Sequence, residues 1–219
     1  MIAVIDYCKG NLKSVERGLI GAGADARITD DPRVIAQAEA LVLPGVGAFA
    51  DASAFMQESG QMDVIYDAVV NRGVPFLGIC LGEQLMFAAG EEGAQPGTTV
   101  RGLGFLEGVS TKLPTTDAAG NTYKIPHVGW NSIEFDADAT DDEKSPLLCD
   151  IKPGEYFYFT HSYCAPDTSA ALAYTTHSCT FPSVVQYGDH AYGVQFHPEK
   201  SSDAGAQLLK NFVRLAKRV

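Results

Sequence analysis

Cys80 stands in a sequence setting that is typical of a nucleophile. Residues 74–88 read as a short apolar strand, a sharp turn and a helix, and Gly78 and Gly82 flank Cys80 at the turn. This Gly-x-Cys-x-Gly pattern is the cysteine form of the Gly-x-Ser-x-Gly nucleophile elbow, whose tight turn leaves little room for side chains on either side. The first N–H groups of the helix favour a thiolate, and the Leu81 N–H is placed to stabilise an oxyanion. A buried structural cysteine is the alternative, but the paired glycines favour a nucleophile.

A base for this nucleophile comes late in the chain. A short apolar strand runs into His197-Pro198-Glu199. Side chains alternate along an extended segment, so His197 and Glu199 are expected on the same side of it. A carboxylate beside an imidazole fixes its tautomer and stabilises its cation. A histidine at a strand end with Glu199 in solvent is the alternative, but the two motifs together make a Cys80/His197/Glu199 triad the leading hypothesis.

Strands and helices alternate in the first third of the chain. Apolar runs predict strands, apolar residues at helical spacing predict a helix, and Asp31-Pro32 is a typical helix start. The predicted strands are 1–6, 24–29 and 40–43, and the predicted helices are 12–22 and one that begins at 31. This β-α-β-α-β order predicts a parallel, doubly wound sheet. Loops at the carboxyl ends of parallel strands form the binding crevice, so we expect residues 44–47 and Cys80 at one edge of the sheet.

After the third strand, the pattern of predicted elements changes. Residues 55–70 are predicted to be helical with a break at Ser59-Gly60, and the helix after Cys80 is predicted to end near Glu92. Beyond these, short strand-like runs joined by turn-rich segments predict antiparallel additions to the sheet or a small second sheet. The runs are 105–113, 125–135, 156–160, 170–175 and 184–187, and an amphipathic helix at 207–217 closes the chain.

Length, charge and cysteine content restrict the function. The chain has 219 residues, of which 46% are hydrophobic, and this suits one domain over 1–219. No run approaches the ~18 apolar residues of a membrane span, and the first strand begins at Ile2, so we expect neither a membrane anchor nor a signal peptide. A formal net charge of −11 argues against nucleic-acid binding. The cysteines lack C-x-x-C spacing, which argues against a disulfide framework or a zinc site and favours a reducing cytoplasm.

Several motifs together resemble one enzyme family. The motifs are Gly78-Ile79-Cys80-Leu81-Gly82-x-Gln84, Gln195-Phe196-His197-Pro198-Glu199, Asp6-Tyr7-x-x-Gly10-Asn11-Leu12-x-Ser14-Val15, Pro44-Gly45-Val46-Gly47-Ala48-Phe49, Pro126-His127-Val128-Gly129-Trp130-Asn131 and Lys200-Ser201-Ser202. The first two are similar to those of class I (triad) glutamine amidotransferases. The others resemble the HisH family, the glutaminase subunits of imidazole glycerol phosphate synthase. The similarity runs from Met1 to the C-terminal helix, and the combination is far more specific than any one motif.

The resemblance implies a flavodoxin-like α/β fold, with a mostly parallel sheet, helices on both faces and antiparallel additions in the C-terminal half. It also implies hydrolysis of L-glutamine through a cysteine thioester, a reaction that needs no metal or cofactor. The implied roles are catalysis for Cys80, His197 and Glu199, oxyanion binding for Leu81 and for Val46 or Gly47, and binding of glutamine for Gln84, Glu92, Ser162 and Tyr163. From the residues alone, a solvent-facing Gln84 and a surface Glu92 are equally acceptable.

A partner is implied by the same resemblance. The family forms a heterodimer with a (β/α)8-barrel cyclase subunit of the HisF type. That subunit joins the ammonia to a phosphoribulosyl aminoimidazole carboxamide intermediate of histidine biosynthesis, and it yields imidazole glycerol phosphate and an aminoimidazole carboxamide ribotide. Tyr158 and Lys200 match interface residues, and Lys200 would pair with an acidic residue of the cyclase. Core packing and ordinary surface charge are the alternatives for these two residues.

Three features depart from the family pattern. Cys8 stands where glycine is usual, and Glu83 stands where an apolar residue or a histidine is common. Residues 136–144 resemble an acidic insertion, which we interpret as a solvated loop because its carboxylates lack the spacing of a calcium loop. His127, His177 and His190 lack metal spacing and are assigned no chemistry.

Other functions remain open at this point. The glutaminase subunit of another amidotransferase, such as anthranilate synthase, is the nearest, and the identity of the partner would separate the two. Residues 44–50 also fit a loose G-x-G-x-x-A after a strand, which is typical of a dinucleotide-binding turn in a non-catalytic module. That pattern follows the third strand rather than the first, and Pro44 disturbs the turn. An α/β-hydrolase fits poorly, because its acid normally precedes its histidine.

Overall fold

A seven-stranded mixed sheet forms the centre of the computed structural model, which describes residues 1–8, 10–135 and 145–217. The strands are β1 Ile2–Ile5, β2 Ala26–Thr29, β3 Ala40–Gly45, β4 Phe76–Cys80, β5 Phe87–Gly90, β6 Val100–Arg101, β7 Leu106–Lys112, β8 His127–Ser132, β9 Tyr156–His161, β10 Tyr163–Cys164, β11 Ala171–Thr176, β12 Thr180–Tyr187 and β13 Ala191–Val194. The helices are α1 Leu12–Gly21, α2 Pro32–Ala36, α3 Phe49–Glu58, α4 Gln61–Tyr66, which a π-helical turn Asp67–Asn71 extends, α5 Leu81–Gln84 and α6 Ser202–Ala216.

The central sheet has the strand order β11-β12-β13-β4-β3-β1-β2. The five strands from β13 to the edge strand β2 are parallel, whereas β12 and β11 are added antiparallel at the other edge. Gly45 of β3 lies opposite Cys80 of β4, and Val194 of β13 lies opposite Ile79. Three parallel strands therefore end together at the turn that carries Cys80. This confirms the predicted sheet and places residues 44–47 beside Cys80.

Helices cover both faces of this sheet. Val15 of α1 and Phe212 of α6 pack on one face, and Ile35, Met56 and Ile65 of α2, α3 and α4 pack on the other. A strand that is covered on both faces has no polar side, which explains the unbroken apolar runs of β1, β3 and β4.

Two smaller sheets lie outside the central one. The first has the order β10-β7-β5-β6. The second is an antiparallel ribbon of β8 and β9, in which His127 pairs with His161 and Trp130 pairs with Tyr158. We call this pair of strands the β8–β9 ribbon. The sequence prediction of either an edge addition or a second sheet was right on both counts.

The predicted helix from Cys80 to near Glu92 is wrong. Helix α5 ends at Gln84, and residues Phe87–Gly90 form β5, which pairs with β7 and β6. Hydrogen bonds from Gly102 N–H to the Ala88 carbonyl and from Leu106 N–H to the Met86 carbonyl fix this path. Apolar residues over so short a stretch suit either element, and long-range pairing decided the outcome.

The other predicted helices are present, but some of them begin at different residues than predicted. The predicted break at Ser59-Gly60 is confirmed, with Gly60 at φ 75°, but α3 begins at Phe49 rather than at residue 55. Helix α6 begins at Ser202 rather than at 207. The acidic insertion at 136–144 lies outside the described residues. Among the residues that the structure describes, no helix is long and apolar enough to cross a membrane.

Candidate active site

The turn at Cys80 has the strained backbone of a nucleophile elbow. Cys80 ends β4, precedes the first residue of α5, and has φ 55° and ψ −107°. A positive φ is uncommon for a residue with a side chain, and surrounding structure must hold it in place. The sulfur is thereby presented at the carboxyl ends of the parallel strands, where such sheets bind ligands.

Glycines on either side of Cys80 let backbone segments touch. A Cβ at Gly78 would lie 2.5 Å from the Gly82 carbonyl oxygen, and a Cβ at Gly82 would overlap the Leu43 carbonyl oxygen. Both contacts are to backbone atoms, which cannot move aside as a flexible side chain can. The Gly-x-Cys-x-Gly spacing is therefore required by packing between β4, α5 and β3.

His197 and Glu199 form a buried pair beside Cys80. His197 Nδ1 lies 3.0 Å from Glu199 Oε1, and the two side chains are 2% and 1% exposed. Burial lowers the pKa of His197, but the neighbouring Cys80 and Glu199 outweigh burial and raise that pKa. Burial raises the pKa of Glu199, whereas His197 and Asn11 outweigh burial and lower it. The arrangement favours an imidazolium between a carboxylate and the sulfur, as a thiolate nucleophile requires.

Hydrogen bonds hold this pair from several elements. Asn11 Nδ2 donates to Glu199 Oε1 at 3.2 Å, and the His197 N–H donates to the Tyr158 carbonyl at 2.9 Å. Ser201 Oγ donates to the His197 carbonyl at 2.6 Å and accepts from the Tyr158 N–H at 3.0 Å. Nε2 of His197 is buried without a hydrogen-bond partner of regular geometry, which leaves it available to a reacting group. Sequence reasoning used Asn11 only as part of a motif and missed this contact.

A pocket of ≈ 230 Å³ opens in front of Cys80. Its lining residues are Val46, Gly47, Cys80, Leu81, Gln84, Glu92, Thr160, His161, Ser162 and Tyr163. All of the oxyanion and glutamine-binding residues implied by the resemblance are in this set. Tyr158 and Lys200 lie outside the pocket, with Lys200 Nζ 5.7 Å from the centre of the Tyr158 ring.

Gln84 and Gln195 link the pocket to the sulfur. Gln84 Nε2 donates to the Tyr163 carbonyl at 2.8 Å and to Gln195 Oε1 at 2.9 Å. Gln195 Nε2 in turn donates to Cys80 Sγ at 3.6 Å. Both amide hydrogens of Gln84 are thus used inside the protein, and its Oε1 is the atom available to a ligand. A solvent-facing Gln84 is ruled out, because the residue is 3% exposed.

Glu92 reaches the pocket from the segment after β5. Its Oε2 accepts the Phe49 N–H at 3.1 Å, at the start of α3, and its carbonyl accepts the Ala50 N–H. Burial raises the pKa of Glu92, an effect that the Phe49 N–H opposes. The position suits a carboxylate that receives an ammonium group of a ligand.

Three histidines pack against one another at the wall of the pocket that His161 forms. His161 Nδ1 lies 2.8 Å from the Tyr163 carbonyl, and His161 Nε2 lies 3.0 Å from His127 Nδ1. Since a carbonyl only accepts, His161 Nδ1 must donate, and His127 Nδ1 must donate to His161 Nε2. His177 stacks on His127 at 4.2 Å between ring centres. Burial lowers the pKa of His161 to about 3 and that of His127 to about 4. Among the described residues no group suits a metal ion.

Glu83 is a buried acid beside the nucleophile. It is fully buried, and neither carboxyl oxygen has a hydrogen-bond partner. Gly193 leaves room for it, since a Cβ there would lie 2.7 Å from Glu83 Cγ. Burial raises the pKa of Glu83 well above its ordinary value, and the nearby Cys80 adds to this. Burial therefore favours the protonated form of this side chain.

We expect Glu83→Met to raise the free energy of unfolding by about 2 kcal/mol near neutral pH, because it removes a buried polar group without partners. A carboxyl whose pKa is higher in the folded state contributes stability below its unfolded pKa and loses it as the pH rises through the folded pKa. The gain from the substitution should therefore grow as the pH rises above the unfolded pKa of a glutamate, about 4.3. Urea unfolding at several pH values above it measures the change. Glu91→Gln is the control, because it removes a carboxylate that is exposed, and it should change the free energy of unfolding little. A gain from Glu83→Met that is the same at every pH would contradict the prediction.

Comparison with known proteins identifies the family to which the chain belongs. The family model described as "Glutamine amidotransferase class-I" matches residues 3–216. A relative from Salinibacter ruber is 46% identical over 98% of this chain and 94% of its own length, and one from Moorella thermoacetica is 44% identical over 99% and 95%. A relative from Methanococcus maripaludis is 39% identical over 99% of this chain and 100% of its own length. Each of the three is described as an imidazole glycerol phosphate synthase subunit HisH.

Solved structures agree on the fold. A crystal structure of a glutamine amidotransferase matches with a TM-score of 0.71 and 17% identity, over 99% of this chain and 100% of that one. A chain in the structure of PurLQS from Thermotoga maritima matches with a TM-score of 0.65 and 17% identity, over 99% and 97%. Similarity at such low identity establishes the architecture and confirms the predicted fold class.

Proposed function

The chain belongs to the class I glutamine amidotransferase family and, within it, to the HisH family, and we propose that it acts as the glutaminase subunit of an imidazole glycerol phosphate synthase. The observation that carries this proposal is the buried His197–Glu199 pair beside a strained Cys80, at one end of a pocket lined by polar groups. We further propose that residues 1–219 act as one domain and that its free thiol works in a reducing compartment such as the cytoplasm.

In the proposed reaction, the Cys80 thiolate attacks the side-chain amide carbon of glutamine. The carbonyl π electrons move to oxygen, and N–H groups of Leu81 and of Val46 or Gly47 receive the oxyanion. Collapse expels the amide nitrogen, which takes a proton from His197 Nε2 and leaves as ammonia. His197 then removes a proton from water, whose oxygen attacks the thioester, and collapse returns the thiolate and releases glutamate. Glu199 keeps the imidazole in one orientation throughout.

The same pocket offers groups for the ends of glutamine. We assign the α-amino group to Glu92, whose carboxylate lies in the pocket, and the α-carboxylate to the main chain of Ser162 and Tyr163. Oε1 of Gln84 is placed to accept a hydrogen bond from the substrate, because its amide nitrogen is already used. A dinucleotide is disfavoured at residues 44–47, since the space at Gly45 is already taken by the Tyr7 hydroxyl and by Leu81 Cβ, at 2.5 and 2.6 Å from a Cβ built there.

We propose that the partner is a cyclase subunit with a (β/α)8 barrel and that it docks on the β8–β9 ribbon. Large apolar side chains are exposed there, with Val128, Trp130 and Tyr156 exposed by 57%, 51% and 56%. Tyr158 and Lys200 adjoin this surface and are close to each other. An exposed aromatic cluster rimmed by polar groups is typical of a protein interface. The ribbon also contacts the active site, because His197 N–H bonds to Tyr158.

We expect Trp130→Ala to weaken binding of the cyclase subunit by about 2 kcal/mol, or about 30-fold in Kd, because a large exposed aromatic residue is a typical interface hot spot. Titration calorimetry with the purified cyclase measures the change. Ile20→Ala is the matched control, since Ile20 is 53% exposed on α1, which is not part of the ribbon. Equal affinities of the Trp130 variant and the parent would place the interface elsewhere.

The proposed function is tested by glutamate release from glutamine in three states: the chain alone, with the cyclase, and with the cyclase plus its nucleotide substrate. We expect weak release alone and a strong rise in the full complex. Steady release that ignores the cyclase would retain the chemistry and favour a different amidotransferase, such as anthranilate synthase. No release in any state, with the cyclase shown to bind, would favour a non-catalytic module.

A further inference from the structure

We propose that Gln195 stabilises the reactive thiolate of Cys80 and that Gln84 fixes its orientation, which joins the nucleophile to the main chain that binds glutamine. The inference rests on the proposed function, because it adds a residue to the same reaction. Gln195 is not among the residues that line the pocket, and its Nε2 lies 3.6 Å from the reacting sulfur.

The position of Gln195 is set by the central sheet. It directly follows β13, and its N–H donates to the Ser183 carbonyl of β12 at 3.1 Å. The residue is fully buried, so no water replaces its side-chain contacts. Gln195 and His197 lie in the short connection between β13 and the 3₁₀ turn Pro198–Lys200, which carries Glu199. Gln195 and His197 therefore approach the sulfur from the same stretch of chain.

The direction of each hydrogen bond is determined by a carbonyl. The Tyr163 carbonyl only accepts, so Gln84 must present its NH2 group there. The second hydrogen of that group then points to Gln195 Oε1 at 2.9 Å. With its oxygen held by Gln84, Gln195 must present its own NH2 group to Cys80 Sγ. A reversed amide would place two donors face to face, so the chain admits one orientation only.

An N–H donor at the sulfur favours the anion over the thiol. Cys80 is 6% exposed, and the titratable side chains that face it are those of Tyr7, Glu83 and His197. A hydrogen bond to the charged form of the sulfur stabilises that form, and Gln195 supplies one. The same donor assists the second half-reaction, in which the sulfur leaves the thioester as a thiolate.

The pH dependence of Cys80 alkylation tests the proposal on the full chain without glutamine or partner. Iodoacetamide labelling of the Cys80 peptide, followed by mass spectrometry, gives the rate at each pH. We expect Gln195→Met to move the midpoint up by about one pH unit and to slow labelling near neutral pH about tenfold. Gln84→Met should shift the midpoint in the same direction by less, since Gln195 is then only misoriented. Ser183→Ala, at a buried hydroxyl without a partner, should leave it unchanged.

A folded Gln195→Met chain whose labelling profile superposes on that of the parent overturns the proposal. If circular dichroism shows that Gln195→Met does not fold, the Gln84→Met chain provides the test. A Gln84→Met labelling profile that is the same as that of the parent then overturns the proposal. The labelling does not require turnover. A chain that fails every glutaminase assay can therefore still show the shift, and the two failures are distinguishable.

Discussion

Replacement of Cys80 by serine is expected to lower glutamate release by at least about 10⁴-fold, as loss of a nucleophile does in other covalent enzymes. A serine hydroxyl fits the same space but does not ionise near neutral pH. The rest of the site stays in place, including the His197–Glu199 pair at 3.0 Å. Release of glutamate in the complete complex, assayed with a coupled dehydrogenase, measures the loss.

A matched control separates chemistry from general thiol effects. Cys149 is an exposed free cysteine outside the pocket, and Cys149→Ser should retain full activity. Glutamine binding to the Cys80→Ser chain should also persist, because the pocket residues are unchanged. Residual activity of the Cys80→Ser chain within about tenfold of the parent would reject the thioester mechanism.

Gly82→Ala is expected to lower the free energy of unfolding by about 3 kcal/mol or more and to abolish activity. The added Cβ would overlap the Leu43 carbonyl oxygen, and neither that carbonyl nor α5 can move without disturbing Cys80. Urea unfolding, with glutamate release beside it, measures both effects.

Gly21→Ala is the control for the same chemical change. Gly21 ends α1, has no atom within 4 Å of an added Cβ, and does not have a positive φ. Alanine there should stabilise the chain by about 0.5–1 kcal/mol, as it does in helices. Equal stabilities of the Gly82→Ala chain and the parent would mean that the elbow is looser than its contacts indicate.

The triad could be predicted from sequence because its residues fall in two short motifs whose local geometry is known. Gly78, Cys80 and Gly82 define a turn, and His197 and Glu199 stand two residues apart. The extended segment expected there is wrong, because Pro198–Lys200 form a 3₁₀ turn, but the two side chains still meet. The parallel sheet was equally readable, since strands buried on both faces have unbroken apolar runs. The end of α5 could not be predicted from the local sequence, because β5 forms by pairing with β7 and β6, which come later in the chain.

Contacts that support the triad were harder to foresee. Asn11 lies 188 positions from Glu199 in sequence, and only the fold brings the two together. Glu83 was recognised as unusual, but its complete burial depends on the space left by Gly193. Gln195 did leave a signal, since it precedes His197 by two residues in the same motif, but both residues follow the end of β13, so strand alternation does not place them.

The crowded turn at Cys80 limits how this protein can diverge. Where main-chain atoms of β3, β4 and α5 touch directly, no side chain has space at Gly78 or Gly82, so these two positions tolerate almost no substitution. Changes that tune substrate affinity or the response to a partner are therefore open only at positions around the turn where a side chain has space. Glu83, which follows Gly82 and fills the space left by Gly193, stands at such a position.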